Sequence, residues 1–160
     1  HPDERQTSRQ LCEDIAKMFI ELPISESAAK YARFPMRHTF EVKDPEGFTA
    51  FEKILAGLSP KGAAHTMRKL QRDRPTLWDM EADLRSFSLP LLVIVGDEDQ
   101  PCLDGSLFLK RTVPSAALQT VPRTGHTIIM EEPDIVNTAL REYFSATTDG
   151  NWMNHKSPRH

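Results

Sequence analysis

Two different periodicities divide the chain. Through the first eighty-odd residues, apolar side chains recur every three or four positions, the spacing of one helix face. Leu11, Ile15, Met18, Phe19 and Leu22 form the first stripe, behind a capping-box spacing at Thr7-Ser8-Arg9-Gln10. Leu22-Pro23 ends it, because the residue before a proline is pushed out of helical geometry. A short second helix is predicted over Glu26 to Ala32 and closed by Phe34-Pro35. Asp44-Pro45 then supplies an N-cap with proline at the first helical position, followed by a stripe of Phe48, Phe51, Leu55 and Leu58. Ser59-Pro60 repeats that signal ahead of Ala63, Ala64, Met67 and Leu70. Such stripes predict packing surface rather than a cofactor site.

From Leu89 the helical period gives way to a continuous apolar run, Leu91 to Val95, without polar alternation. That pattern suits a strand covered on both faces, as in a parallel sheet. Asp104 is placed to cap a helix through Thr112, with Leu107, Phe108 and Arg111 at helical spacing and Pro114 just beyond. A second strand is predicted over Ala116–Val121. Glu132-Pro133 then opens a last helix on which Val136, Leu140 and Phe144 repeat every four residues. Strand, helix, strand, helix with crossovers of this length is an α/β arrangement around parallel strands. The expected organisation is a helical region over 1–85, an α/β segment over 86–146 and a polar, frayed tail over 147–160. In that tail Trp152 is the one large apolar group, either docked on the body or exposed. Two strands do not make a stable sheet by themselves, so the fold is expected to need more strands than these residues contain.

Composition narrows the partners. A net charge of −3 on 160 residues gives no electrostatic footprint for nucleic acid. No apolar stretch approaches the roughly 20 residues of a membrane span. The polar start, His1-Pro2-Asp3-Glu4-Arg5-Gln6, is not a signal peptide, and it lacks an initiator methionine, so a fragment, a processed product or a trimmed chain is expected. Two cysteines, Cys12 and Cys102, do not make a disulfide framework, and a cytoplasmic protein with reduced thiols is expected.

The chemistry gathers at the ends of the two predicted strands. The first runs through Leu89-Pro90-Leu91-Leu92-Val93-Ile94-Val95-Gly96 into the acidic turn Asp97-Glu98-Asp99. The second passes through Pro122-Arg123-Thr124-Gly125 to His126. Both deliver a titratable side chain just past a carboxyl end, where open α/β sheets collect ligands. An acid and a histidine so placed look like two members of a Ser-His-Asp system. His38, His65, His155 and His160 have no such context.

These residues resemble the α/β-hydrolase fold, specifically its carboxyl-terminal part preceded by a helical cap. Leu89 to Phe144 carries the resemblance, with Gly96-Asp97-Glu98-Asp99 similar to the turn of the triad acid and Gly125-His126 similar to the turn of the triad base. Glu131-Glu132-Pro133, opening the final helix, is also similar to the family. The resemblance implies a partial α/β-hydrolase fold, a helical cap followed by the last two parallel strands and helices of the core sheet. It implies that Asp99, fourth from the strand-ending glycine, is the acid and that His126 is the base. Asp97 and Glu98 would then be solvated turn residues. It implies no cofactor and no metal. The substrate would be a small molecule with an ester or similar acyl bond, and the apolar Phe48, Phe51, Met67 and Trp78 hint at an apolar pocket for it, although the same residues equally suit a core.

The departure from the family is the nucleophile. No Gly-x-Ser-x-Gly elbow occurs. Gly57-Leu58-Ser59-Pro60-Lys61 fails at Lys61, follows a helix and has proline where an oxyanion-hole amide belongs. Ser106 fails on both flanks, and neither Cys12 nor Cys102 resembles an elbow. In the family the nucleophile lies upstream of the cap, so the expectation is that this chain holds only the acid and base. The alternative is a noncatalytic chain that folds by docking on a separate amino-terminal polypeptide. A doubly wound nucleotide- or flavin-binding domain would need a Gly-rich phosphate loop after a strand, and none is present.

Overall fold

Proline and a short polar cap start two helices of the amino-terminal unit. The structure, a computed structural model, describes residues 4–154. Asp44 accepts a hydrogen bond from the Gly47 N–H (2.9 Å) and starts α4, Pro45–Ala56; Ser59 accepts from the Gly62 N–H (3.3 Å) and starts α5, Pro60–His65. Ahead of them lie α1, Arg5–Glu21, and α2, Ile24–Ala32. A 3-10 turn, Pro35–Arg37, then leads into α3, His38–Lys43. The first helix begins before Thr7, which therefore lies inside it and is not its cap. α5 runs on into a π-helical turn, Thr66–Gln71, in which the Arg72 N–H reaches back to the Met67 carbonyl (2.9 Å). That wider turn breaks the helical period, and Leu70, predicted on the packed stripe, is exposed.

This unit, His1–Asp79, has two adjoining apolar clusters. Ala28, Ala32, Phe40, Phe48 and Leu55 form one; Ile15, Ala16, Phe19 and Ala64 form the other. Phe40 and Phe48 meet edge to face at 5.6 Å. Each fully buried ring contributes about 1.5–3 kcal/mol by burial, and the edge-to-face pair about 0.5–1.5 kcal/mol more. Tyr31 packs against both clusters, and the Arg37 guanidinium lies 4.5 Å over its ring while donating to its carbonyl (2.8 Å). Phe48 is thus core, with Phe51 packed on its cluster and Met67 on the neighbouring one. Glu13 accepts from Arg68 (2.7 Å) and Arg72 (3.2 Å), and the Arg68 hydrogen bond holds its carboxyl below the usual glutamate range.

The second unit, Met80–His160, carries the sheet. Its elements are α6, Glu81–Ser86; β1, Leu91–Gly96; α7, Gln100–Thr112; β2, Ala116–Val121; α8, Ile128–Glu131; and α9, Pro133–Thr148. β1 and β2 pair in parallel, from Leu91 opposite Ala116 to Gly96 opposite Val121, and α7 is the crossover between them. Both strands lie where the apolar runs predict them. Among the described residues the sheet has these two strands.

Three local expectations change. α7 begins at Gln100, with Asp99 at its N-cap, so Asp104 is an exposed residue inside the helix and caps nothing. A one-turn helix, α8, precedes α9; Glu131 closes it instead of opening the final helix. On α9 the buried positions are Val136 and Ala139, while Phe144 is exposed. Beyond α9, Trp152 docks within a 3-10 turn, Trp152–Asn154. Its indole N–H donates to the Ser115 carbonyl (2.9 Å) and its ring meets Tyr143 at 4.7 Å; the Tyr143 hydroxyl donates to the Pro90 carbonyl (3.0 Å). The end of α9 is thereby tied to the residues just ahead of β2 and β1. Among the described residues no helix is long and apolar enough to cross a membrane.

Candidate active site

The two strands end side by side, and the loops that follow them clasp each other. The Asp97 N–H donates to the Val121 carbonyl (3.0 Å), the Thr124 N–H to Asp97 Oδ1 (3.2 Å), and the Glu98 N–H to the Thr124 carbonyl (3.0 Å). The backbones come so close that a Cβ on Gly96 would collide with the Thr124 carbonyl oxygen, and would stand 2.5 Å from its carbon and 2.7 Å from the Gly125 oxygen. The close approach thus rests on Gly96, and the left-handed turn on Arg123 (φ 56°). Gly96→Ala is expected to cost about 3 kcal/mol, because the atoms it meets are backbone and cannot swing aside. A chemical denaturation midpoint within error of wild type would contradict this.

That clasp sets the height of the next residue on each side. Asp99, 5% exposed, makes no side-chain cap to α7. Its carboxylate faces His126 instead, with Oδ2 3.0 Å and Oδ1 3.1 Å from Nδ1. A buried carboxylate is costly unless it is paired, and the imidazole N–H supplies the partner. Because both contacts use Nδ1, a neutral ring keeps its proton there and leaves a lone pair on Nε2. The His126 side chain is 37% exposed, so the ring is reachable while the acid behind it is covered.

Two further residues complete the arrangement, and sequence reasoning missed both. Glu131 is buried, with Oε2 accepting from the Gly125 N–H (2.8 Å) and Oε1 from the Thr127 N–H (3.1 Å) and hydroxyl (3.0 Å). The amides on either side of His126 are therefore pinned by one carboxylate. Its signal was the Glu-Glu-Pro run, which reads as a helix start. Cys102, on the first turn of α7, places Sγ 3.7 Å from His126 Nδ1. Its signal was the Asp99-x-x-Cys102 spacing, which puts both side chains on one helix face.

The other candidates fall elsewhere. Asp97 and Glu98 are exposed, and Asp97 has the structural task already described. Ser59 caps α5, and Ser106 is buried inside α7; neither stands on a strand-to-helix turn. Cys12 lies on α1, where burial pushes its thiol pKa up. His38 and His65 are exposed; His155 and His160 lie outside the described residues. Among the described residues, the group able to bring three metal-ligating atoms together is Asp99, Cys102 and His126.

No family model matches the chain. Over 73 residues it is 25% identical to a Bacillus subtilis (strain 168) protein assigned as a 2-succinyl-6-hydroxy-2,4-cyclohexadiene-1-carboxylate synthase, a match covering 46% of this chain and 26% of that protein. Over 99 residues it is 26% identical to the proline iminopeptidase PfmaB of Pestalotiopsis fici, covering 61% of this chain and 35% of that protein. The structure of MenH from S. aureus superposes with a TM-score of 0.81 at 17% identity, over 91% of this chain and 54% of that one. A malate-bound thermophilic esterase from Thermogutta terrifontis superposes with a TM-score of 0.65 at 22% identity, over 91% of this chain and 51% of that one. The chain spans about half the length of the solved structures it matches, and the aligned segments about a quarter to a third of the curated relatives. With its parallel strand pair and the helices around it, this chain has part of an α/β-hydrolase fold.

Proposed function

We propose that Asp99 and His126 are the acid and base of a Ser-His-Asp triad, in an α/β-hydrolase that cleaves an ester or similar acyl bond. The observation that carries this reading is the buried Asp99 carboxylate on His126 Nδ1, at 3.0 and 3.1 Å. Asp99 orients the ring and stabilises its protonated form, while Nε2 takes the proton of a serine and returns it to the leaving group. In the second half of the cycle Nε2 activates water in the same way. The serine and its oxyanion hole belong to residues outside these 160, and the helical residues 1–85 act as the lid. Esterase and iminopeptidase both denote acyl-bond cleavage, which supports that reaction class, while the synthase among the relatives stands for another that the fold hosts. A small-molecule substrate and a cytoplasmic setting complete the proposal; neither cysteine is in a disulfide.

A second reading draws on the two-stranded sheet. The chain would then act without catalysis, docked on a separate amino-terminal polypeptide that extends the sheet. One experiment separates the two. Hydrolysis of p-nitrophenyl acetate is measured for the 160-residue chain, and for the same chain joined to an upstream segment bearing a nucleophile elbow. The triad reading expects no His126-dependent turnover by the chain itself and clear His126-dependent turnover when joined. His126-dependent turnover by the isolated chain would place a nucleophile inside it. A joined protein that folds and stays inactive would favour the docking reading.

A further inference from the structure

We propose that Asp99, Cys102 and His126 form a binding site for a thiophilic divalent cation of the zinc type, and that this cation and the Asp99–His126 hydrogen bond exclude each other. The three side chains offer one carboxylate oxygen, one sulfur and one imidazole nitrogen, all within 4.8 Å of one another. Zinc takes all three donor types, in tetrahedral geometry. With metal–sulfur bonds of about 2.3 Å and metal–nitrogen and metal–oxygen bonds of about 2.0–2.2 Å, a tetrahedral centre separates sulfur from nitrogen by about 3.5 Å and nitrogen from oxygen by about 3.3 Å. The structure has Cys102 Sγ at 3.7 Å and Asp99 Oδ2 at 3.0 Å from His126 Nδ1. These two separations differ from the tetrahedral values by about 0.2–0.3 Å. Magnesium and calcium, which prefer six or more oxygen ligands, are excluded by the sulfur and nitrogen donors.

The donors are held before any cation arrives. Asp99 and Cys102 sit one turn apart where α7 begins, joined by the Cys102 N–H to Asp99 carbonyl bond (2.9 Å). The His126 loop is fixed by Glu131 on both flanking amides. Three protein ligands leave a fourth position open, and the partly exposed imidazole gives access to it.

The proton balance is simple. The balance is counted from a carboxylate at Asp99 and a neutral imidazole with its proton on Nδ1. A cation on Nδ1 takes that nitrogen's lone pair, so the ring proton moves to Nε2. The Cys102 thiol proton leaves for solvent, and one proton is released per cation bound. No electron is transferred. Nε2 then carries a hydrogen and has no lone pair to act as a base. Inhibition by the cation therefore rests on the triad reading, whereas binding does not.

Cobalt(II) tests the site, because a thiolate ligand gives it a sulfur-to-metal charge-transfer band. The purified 160-residue chain is titrated with cobalt and back-titrated with zinc. The expected result is one equivalent bound with the thiolate band, displaced by zinc. Cys102→Ser should abolish the band and weaken binding at least about tenfold, while Cys12→Ser keeps both. His126→Ala should weaken binding similarly, and circular dichroism checks that each variant folds. Cys102→Ser, almost isosteric, carries the test if His126→Ala does not fold. Absence of the band in the wild-type chain, or a band and affinity unchanged by Cys102→Ser, would overturn the proposal. Because the readout needs no turnover, its failure is distinct from failure of the triad reading.

Discussion

With His126 replaced by alanine, the protein that joins this chain to a nucleophile is expected to lose turnover by a factor on the order of 10⁶ in kcat. The magnitude follows from the role proposed for one ring. His126 both takes the nucleophile's proton and delivers it to the leaving group, and no other histidine in the described residues faces Asp99. The fold should survive, since the ring is partly exposed and its loop is held by Glu131 through the Gly125 and Thr127 amides. The substitution does leave the Asp99 carboxylate buried without its partner, at a cost of up to about 3–5 kcal/mol, so the thermal midpoint is measured beside the rate. KM should change little. A variant that keeps near-normal kcat would exclude the triad reading outright.

Asp99→Asn is expected to lower kcat by a factor on the order of 10⁴ in the same joined protein. The amide is the same size as the carboxylate, so the packing around a 5% exposed side chain is preserved. Two things are lost. An Asn amide can donate to Nδ1, which favours the tautomer with the proton on Nε2, and it cannot stabilise the protonated ring. The loss should appear in kcat with KM nearly constant, since the ring itself stays in place. Activity close to wild type would move the acid's role to another carboxylate. Asp97 lies in the same turn, but the Thr124 N–H already occupies one of its oxygens.

The strands were legible because their signal is dense. Leu91 to Val95 is uninterrupted, Ala116 to Val121 is broken only by Gln119 and Thr120, and each lies between turn residues. Helix starts marked by Asp44-Pro45 and Ser59-Pro60 were legible for the same reason: one local hydrogen bond decides them. Asp104 and Thr7 misled because a capping residue at the right spacing is cheap in sequence. The helix that wins is the one whose preceding turn is fixed by distant contacts, here the clasp of Asp97, Glu98 and Thr124. α3 is too short to show a period, and the π-helical turn at Thr66–Gln71 alters the period instead of ending it. In the site, the turn showed three carboxylates, with Asp104 further on, and the residues alone did not rank them; the one facing His126 is Asp99. Glu131 was hidden because a glutamate before Glu-Pro looks like helix-start decoration, and nothing local announces that it is buried.

Asp99, Cys102, His126 and Glu131 all belong to the unit that follows Asp79. Every hydrogen bond described for the acid–histidine pair and its supporting loop is made within that unit. The geometry of the acid–histidine pair is thus set within the short stretch from Gly96 to Glu131.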